Sequence, residues 1–79
     1  MRKVVIEYAK EMDKILDEKF EEFQDSWKKV DLYVLKNSLN EQFEKLIISD
    51  NNVKEAMKTL LHLGNYGAFL YARLKELNK

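Results

Sequence analysis

Apolar residues recur every three or four positions through three stretches of this chain, and polar clusters separate the stretches. From Val5 the spacing runs through Tyr8 and Ala9, Met12, Ile15 and Leu16, Phe20 and Phe23, with acids and lysines between them. That period marks one face of a helix and predicts a first helix over 3–24. The run Gln24-Asp25-Ser26-Trp27-Lys28-Lys29-Val30-Asp31 breaks the register. Its Asp and Ser side chains compete for backbone hydrogen bonds and favour turns and caps, with Asp31 placed to cap the next helix. Leu32, Leu35, Leu39, Phe43, Leu46 and Ile47 then predict a second helix over 32–48, closed by Ser49-Asp50-Asn51-Asn52. Asn52 with Glu55 three residues later has the form of a capping box and starts a third helix over 53–77.

The third helix carries two interleaved seams, Val53-Met57-Leu60-Gly64-Gly67-Tyr71-Leu74 and Ala56-Leu60-Leu63-Gly67-Leu70-Leu74-Leu77. So broad an apolar face suits a helix that touches more than one neighbour. A glycine inside a helix costs about 1 kcal/mol relative to alanine, so Gly64 and Gly67 need a compensation. Close approach of another backbone supplies one, at a close-packing interface of Gly64, Gly67, Ala68 and Tyr71, where Ala68 and Ala72 extend the strip of small residues the glycines begin. A break in the helix at Leu63-Gly64-Asn65 is the competing reading.

No proline, internal repeat or low-complexity segment divides the 79 residues, so they form one domain, 1–79. The expected class is all-α: a three-helix antiparallel bundle joined by short loops. Three helices leave part of the third uncovered, and a second copy related by two-fold symmetry would complete a larger bundle. A chain this short buries only about 60 to 65% of its unfolded surface, which also points to a homodimer or another protein partner.

Fourteen basic and fourteen acidic residues cancel, so the overall charge gives no reason to seek nucleic acid or an anionic membrane. Cysteine is absent, which removes disulfides and thiolate chemistry and fits a reducing, cytoplasmic setting. Charge interrupts Met1-Arg2-Lys3-Val4-Val5-Ile6-Glu7 too early for a signal peptide, and no apolar run spans a bilayer.

Candidate chemistry is sparse. Glu41 and Glu44 share a helical face at the E-x-x-E spacing with which bundles present oxygen ligands to a divalent cation, although a charge-rich chain produces such pairs as ordinary solvated surface. His62 is the single histidine, so it builds neither a zinc site nor a histidine acid–base pair. No serine has a histidine near it in sequence, and the glycines follow no strand, so nucleophile triads and phosphate loops lack support. Trp27 and Tyr66 suit either core packing or a cleft that stacks a base.

The segments Asp25-Ser26-Trp27, Glu41-Gln42-Phe43-Glu44-Lys45-Leu46 and Leu60-Leu61-His62-Leu63-Gly64-Asn65-Tyr66 together resemble a small all-α phage domain associated with nucleotide modification. More distantly, they are similar to the MazG-like nucleotide pyrophosphohydrolases. The resemblance spans 20–77 and implies a magnesium site in a helical bundle, where carboxylates from two helices hold the metal against nucleotide phosphates. Glu41 and Glu44 would form half of it, with His62, Asn65 and Tyr66 nearby, in the cytoplasm of a host cell if the source is viral. The acids expected before Asn-Tyr are replaced here by Lys58 and His62, which are poor magnesium ligands. The resemblance therefore implies catalysis lost or relocated.

Two functions are expected. The first is an oligomerising protein-interaction module that needs no cofactor and is not an enzyme. The alternative is a divergent MazG-like domain that binds or hydrolyses a nucleotide with magnesium.

Overall fold

The computed structural model describes residues 1–18, 26–49 and 52–78. It holds three α-helices, α1 (Lys3–Glu18), α2 (Leu32–Ile48) and α3 (Val53–Leu77), with a 3-10 turn at Ser26–Lys28 and no strand among the described residues. The fold is an all-α three-helix bundle. The helices predicted over 32–48 and 53–77 form with those bounds, and α3 runs unbroken through Gly64. The first helix, predicted over 3–24, is helical to Glu18; Phe20, Phe23 and Asp25 lie outside the described residues. No described helix is long and apolar enough to cross a membrane.

Side chains set the helix starts. The Asp31 carboxylate accepts from the Tyr33 N–H at 2.8 Å, and the Asn52 amide oxygen accepts from the Glu55 N–H at 3.1 Å. Each satisfies one of the donors that a helix start leaves without a partner, a contribution of about 1 kcal/mol. The reciprocal half of the predicted capping box does not form. The Asn52 N–H donates to the Ser49 carbonyl at 2.9 Å, so the turn leaving α2 already satisfies the group Glu55 would have reached. At the end of α2 the Ser49 N–H donates to the Lys45 carbonyl at 2.9 Å and its hydroxyl to the Leu46 carbonyl at 2.8 Å.

Helix α3 is the centre of the molecule. It pairs with α2 as an antiparallel hairpin, and a Cβ placed on Gly67 would meet Leu39 Cδ1 at 3.9 Å. Along α1 the contacts climb in step with α3, Tyr8 meeting Leu60 and Met12 meeting Asn65, so these two helices run parallel. Little contact joins the described parts of α1 and α2.

The docking of α1 depends on Gly64. A Cβ there would overlap the Met12 sulfur and lie 2.5 Å from the Tyr8 hydroxyl, which donates to the Leu60 carbonyl one turn earlier on α3. Close approach by α1 is thus the compensation for this glycine. Burial of that hydroxyl raises the Tyr8 pKa above its ordinary 10.0, opposed by a hydrogen bond from the Gly64 backbone. Asn65, one residue along and 6% exposed, donates its amide to the Met12 carbonyl at 3.1 Å.

The hydrophobic core is small. Leu35, 3% exposed, is the one buried apolar residue among those described, and α1 buries none. With 3.6 residues per turn, Val53, Met57, Leu60, Tyr71 and Leu74 lie along one side of α3, and all five are exposed. Phe43 and Ile47 of α2 are exposed as well, on the flank of α2 that also carries Leu39, the neighbour of Gly67. The opposite side of α3 carries Glu55, Lys58, His62, Tyr66 and Phe69 and looks into the space between α1 and α2.

Candidate functional site

Because α1 and α2 stand apart on either flank of α3, a groove of about 600 Å³ opens between them. Helix α1 supplies Ile15, Leu16 and Asp17; α2 supplies Val34, Leu35, Ser38, Gln42 and Lys45. The floor is the α3 stripe from Glu55 to Phe69, and Ser26, Trp27 and Val30 close one end. That closure is tied down from α3, where Arg73 Nη1 donates to the carbonyls of Trp27 at 2.9 Å and Val30 at 2.6 Å. Charge-assisted bonds of this kind are stronger than neutral ones, so a single guanidinium fixes the turn that the 3-10 segment begins.

Trp27 does not offer a free face to a base. Its ring stacks on Phe69 at 4.7 Å with planes 9° apart, and Lys28 Nζ sits 5.6 Å from its centroid. Phe69 in turn meets Tyr66 edge to face at 6.3 Å and 87°. The three rings form a packed wall, the lower-energy arrangement for aromatic groups that already have partners.

The antiparallel pairing of α2 and α3 sorts the groove by polarity. Val34 and Leu35 come level with Phe69 and Trp27, while Lys45 comes level with Lys58 and His62. One end is therefore apolar, with Asp17 entering at its rim from α1. The other is polar, with Lys45, Lys58 and His62 around Glu55.

Of the residues suggested for a nucleotide or metal, His62, Asn65 and Tyr66 are brought together in the groove wall, and the Asn65 amide is committed to the Met12 carbonyl. Glu41 and Glu44 are exposed on α2 outside the lining, where they accept from the side chains of Asn37 at 3.3 Å and Asn40 at 3.4 Å. No group of three or more histidine, cysteine or acidic side chains placed to hold a metal ion occurs among the described residues. Of the close-packing set, Gly64 lies under α1 and Gly67 beside Leu39, while Ala68 and Tyr71 are exposed.

The chain matches no family model, no curated protein and no solved structure. Geometry alone thus carries the functional reading. Phe69 and Arg73, which build the closed end of the groove, belong to neither apolar seam. The signal that could have found Phe69 is its membership of a second stripe, Lys58-His62-Tyr66-Phe69, at steps of four, four and three.

Proposed function

We propose that the chain is an oligomerising helical module that completes its core by pairing with a second copy of itself. The observation that carries this is the exposed seam of α3. Met57 is 62% and Tyr71 69% exposed, in line with Val53, Leu60 and Leu74, while Leu35 alone is buried among the described apolar residues. The seam extends from 53 to 74, about 31 Å of helix; α1 crosses it at Gly64, leaving Val53, Met57 and Leu60 exposed on one side of that crossing and Tyr71 and Leu74 on the other.

Magnitudes support a partner of this size. The chain exposes 6614 Å² at 9.5 kDa, against about 5,000 Å² for a folded monomer of that mass. The excess of about 1,600 Å² falls within the roughly 1,000–2,500 Å² that each chain of an obligate dimer buries. A second copy is favoured over a charged partner because the seam residues left exposed are apolar and the chain is neutral overall, so like surfaces meet without repulsion.

The test is a pair of variants, Met57→Glu and Tyr71→Glu, each placing a charge on the seam at an exposed position. Helicity measured by circular dichroism at high protein concentration should persist while the assembly falls to single chains. An unchanged assembly in both variants would sink the seam as the interface. The nucleotide reading keeps His62, Asn65 and Tyr66 in one groove but has Glu41 and Glu44 outside it, so the seam carries the stronger case.

A further inference from the structure

The groove on the other side of α3 is unexplained by pairing through the seam, and we infer that it binds a single-chain aliphatic anion, with an acyl tail at the Trp27 end and a carboxylate head between Lys45 and Lys58. Its volume of about 600 Å³ is that of a small-molecule site rather than a packing defect. From Lys58 to Phe69 the floor spans about 16 Å, which suits a medium-length acyl chain better than a compact solute.

Two features define the ligand. Trp27 and Phe69 already stack on each other, so the apolar end offers aliphatic edges from Ile15, Leu16, Val34 and Leu35 instead of an open aromatic face. A flexible hydrocarbon fills such a space; a planar base does not. At the polar end Lys45 and Lys58 approach from facing helices, with one acid, Glu55, beside them and Asp17 at the far end. The excess of positive charge there complements one anionic head.

Trp27 is the sole tryptophan, so its emission reports on the groove directly. Titration of the full chain with dodecanoate should shift that emission saturably at one acid per chain, confirmed by calorimetry. Dodecyltrimethylammonium, with the same tail and opposite charge, should bind much more weakly. Lys45→Gln/Lys58→Gln should weaken dodecanoate by about tenfold, the sum of two exposed ion pairs. Val34→Glu, which puts a charge into the apolar wall at an exposed position, should abolish it with helicity intact. Absence of saturable binding, equal affinity for the cationic amphiphile, or full affinity in the double glutamine variant would each overturn the assignment. The inference is independent of dimerisation: Met57→Glu should retain dodecanoate binding as a single chain, and its loss there would put the acid on the seam and overturn the groove.

Discussion

The Tyr8 hydroxyl occupies the space that a side chain at Gly64 would fill, and from there it donates to the Leu60 carbonyl. One missing Cβ thereby sets how close α1 comes to α3. The two helical glycines should respond in opposite directions when replaced. Gly64→Ala gains about 1 kcal/mol of helix propensity but drives a methyl into Tyr8 and Met12, where overpacking costs about 1–3 kcal/mol, for a net loss of about 1 kcal/mol. Gly67→Ala meets Leu39 only at ordinary contact distance and should gain about 0.5–1 kcal/mol. Urea unfolding of the two variants checks the signs, and a stabilised Gly64→Ala would contradict the docking of α1.

The raised pKa of Tyr8 links the same contact to pH. Its folded value lies above the unfolded one, so the neutral phenol stabilises the fold fully below pH 10, and that contribution disappears as pH rises through the folded pKa. Wild-type stability should therefore fall on the alkaline side. Tyr8→Phe should be less stable near neutrality, from loss of the bond to Leu60, and should fall less steeply above about pH 10. Parallel slopes for the two proteins in an alkaline unfolding series would rule the phenol out as a contributor.

Arg73 joins α3 to the turn that closes the groove. Arg73→Met keeps the aliphatic stem and removes both donors, leaving the Trp27 and Val30 carbonyls to water. A loss of about 1–3 kcal/mol is expected, as for hydrogen bonds to a charged group. Loosening of the Trp27–Phe69 stack should move tryptophan emission to the red even in the folded state. Unaltered emission would show that the stack holds Trp27 without help from the guanidinium.

Much of the architecture was legible because capping is local. Asp31 and Asn52 each announced a helix start, and the accepted bonds from Tyr33 and Glu55 bear them out. The return contact from Glu55 was not legible, since it depended on whether the loop had already satisfied the Asn52 N–H, and Ser49 does so. Periodicity also marked the seam of α3, but not which part of it α1 would cover. That was settled by Gly64, whose neighbours Tyr8 and Met12 are some fifty residues away in sequence. The groove was hidden for a similar reason: it exists because α1 and α2 stand apart on α3, a spacing no single-helix pattern encodes. Pairing Glu41 and Glu44 with His62 and Asn65 assumed that facing helices turn those positions inward, whereas α2 turns Val34, Ser38, Gln42 and Lys45 to the groove.

The seam makes its most direct claim on mass. Sedimentation velocity over a concentration series should show the protein at twice its 9.5 kDa chain mass, with Met57→Glu at the single-chain value and wild-type helicity. A wild-type chain that sediments as a stable monomer at every concentration would contradict the account, because the exposed face of α3 would then need no partner.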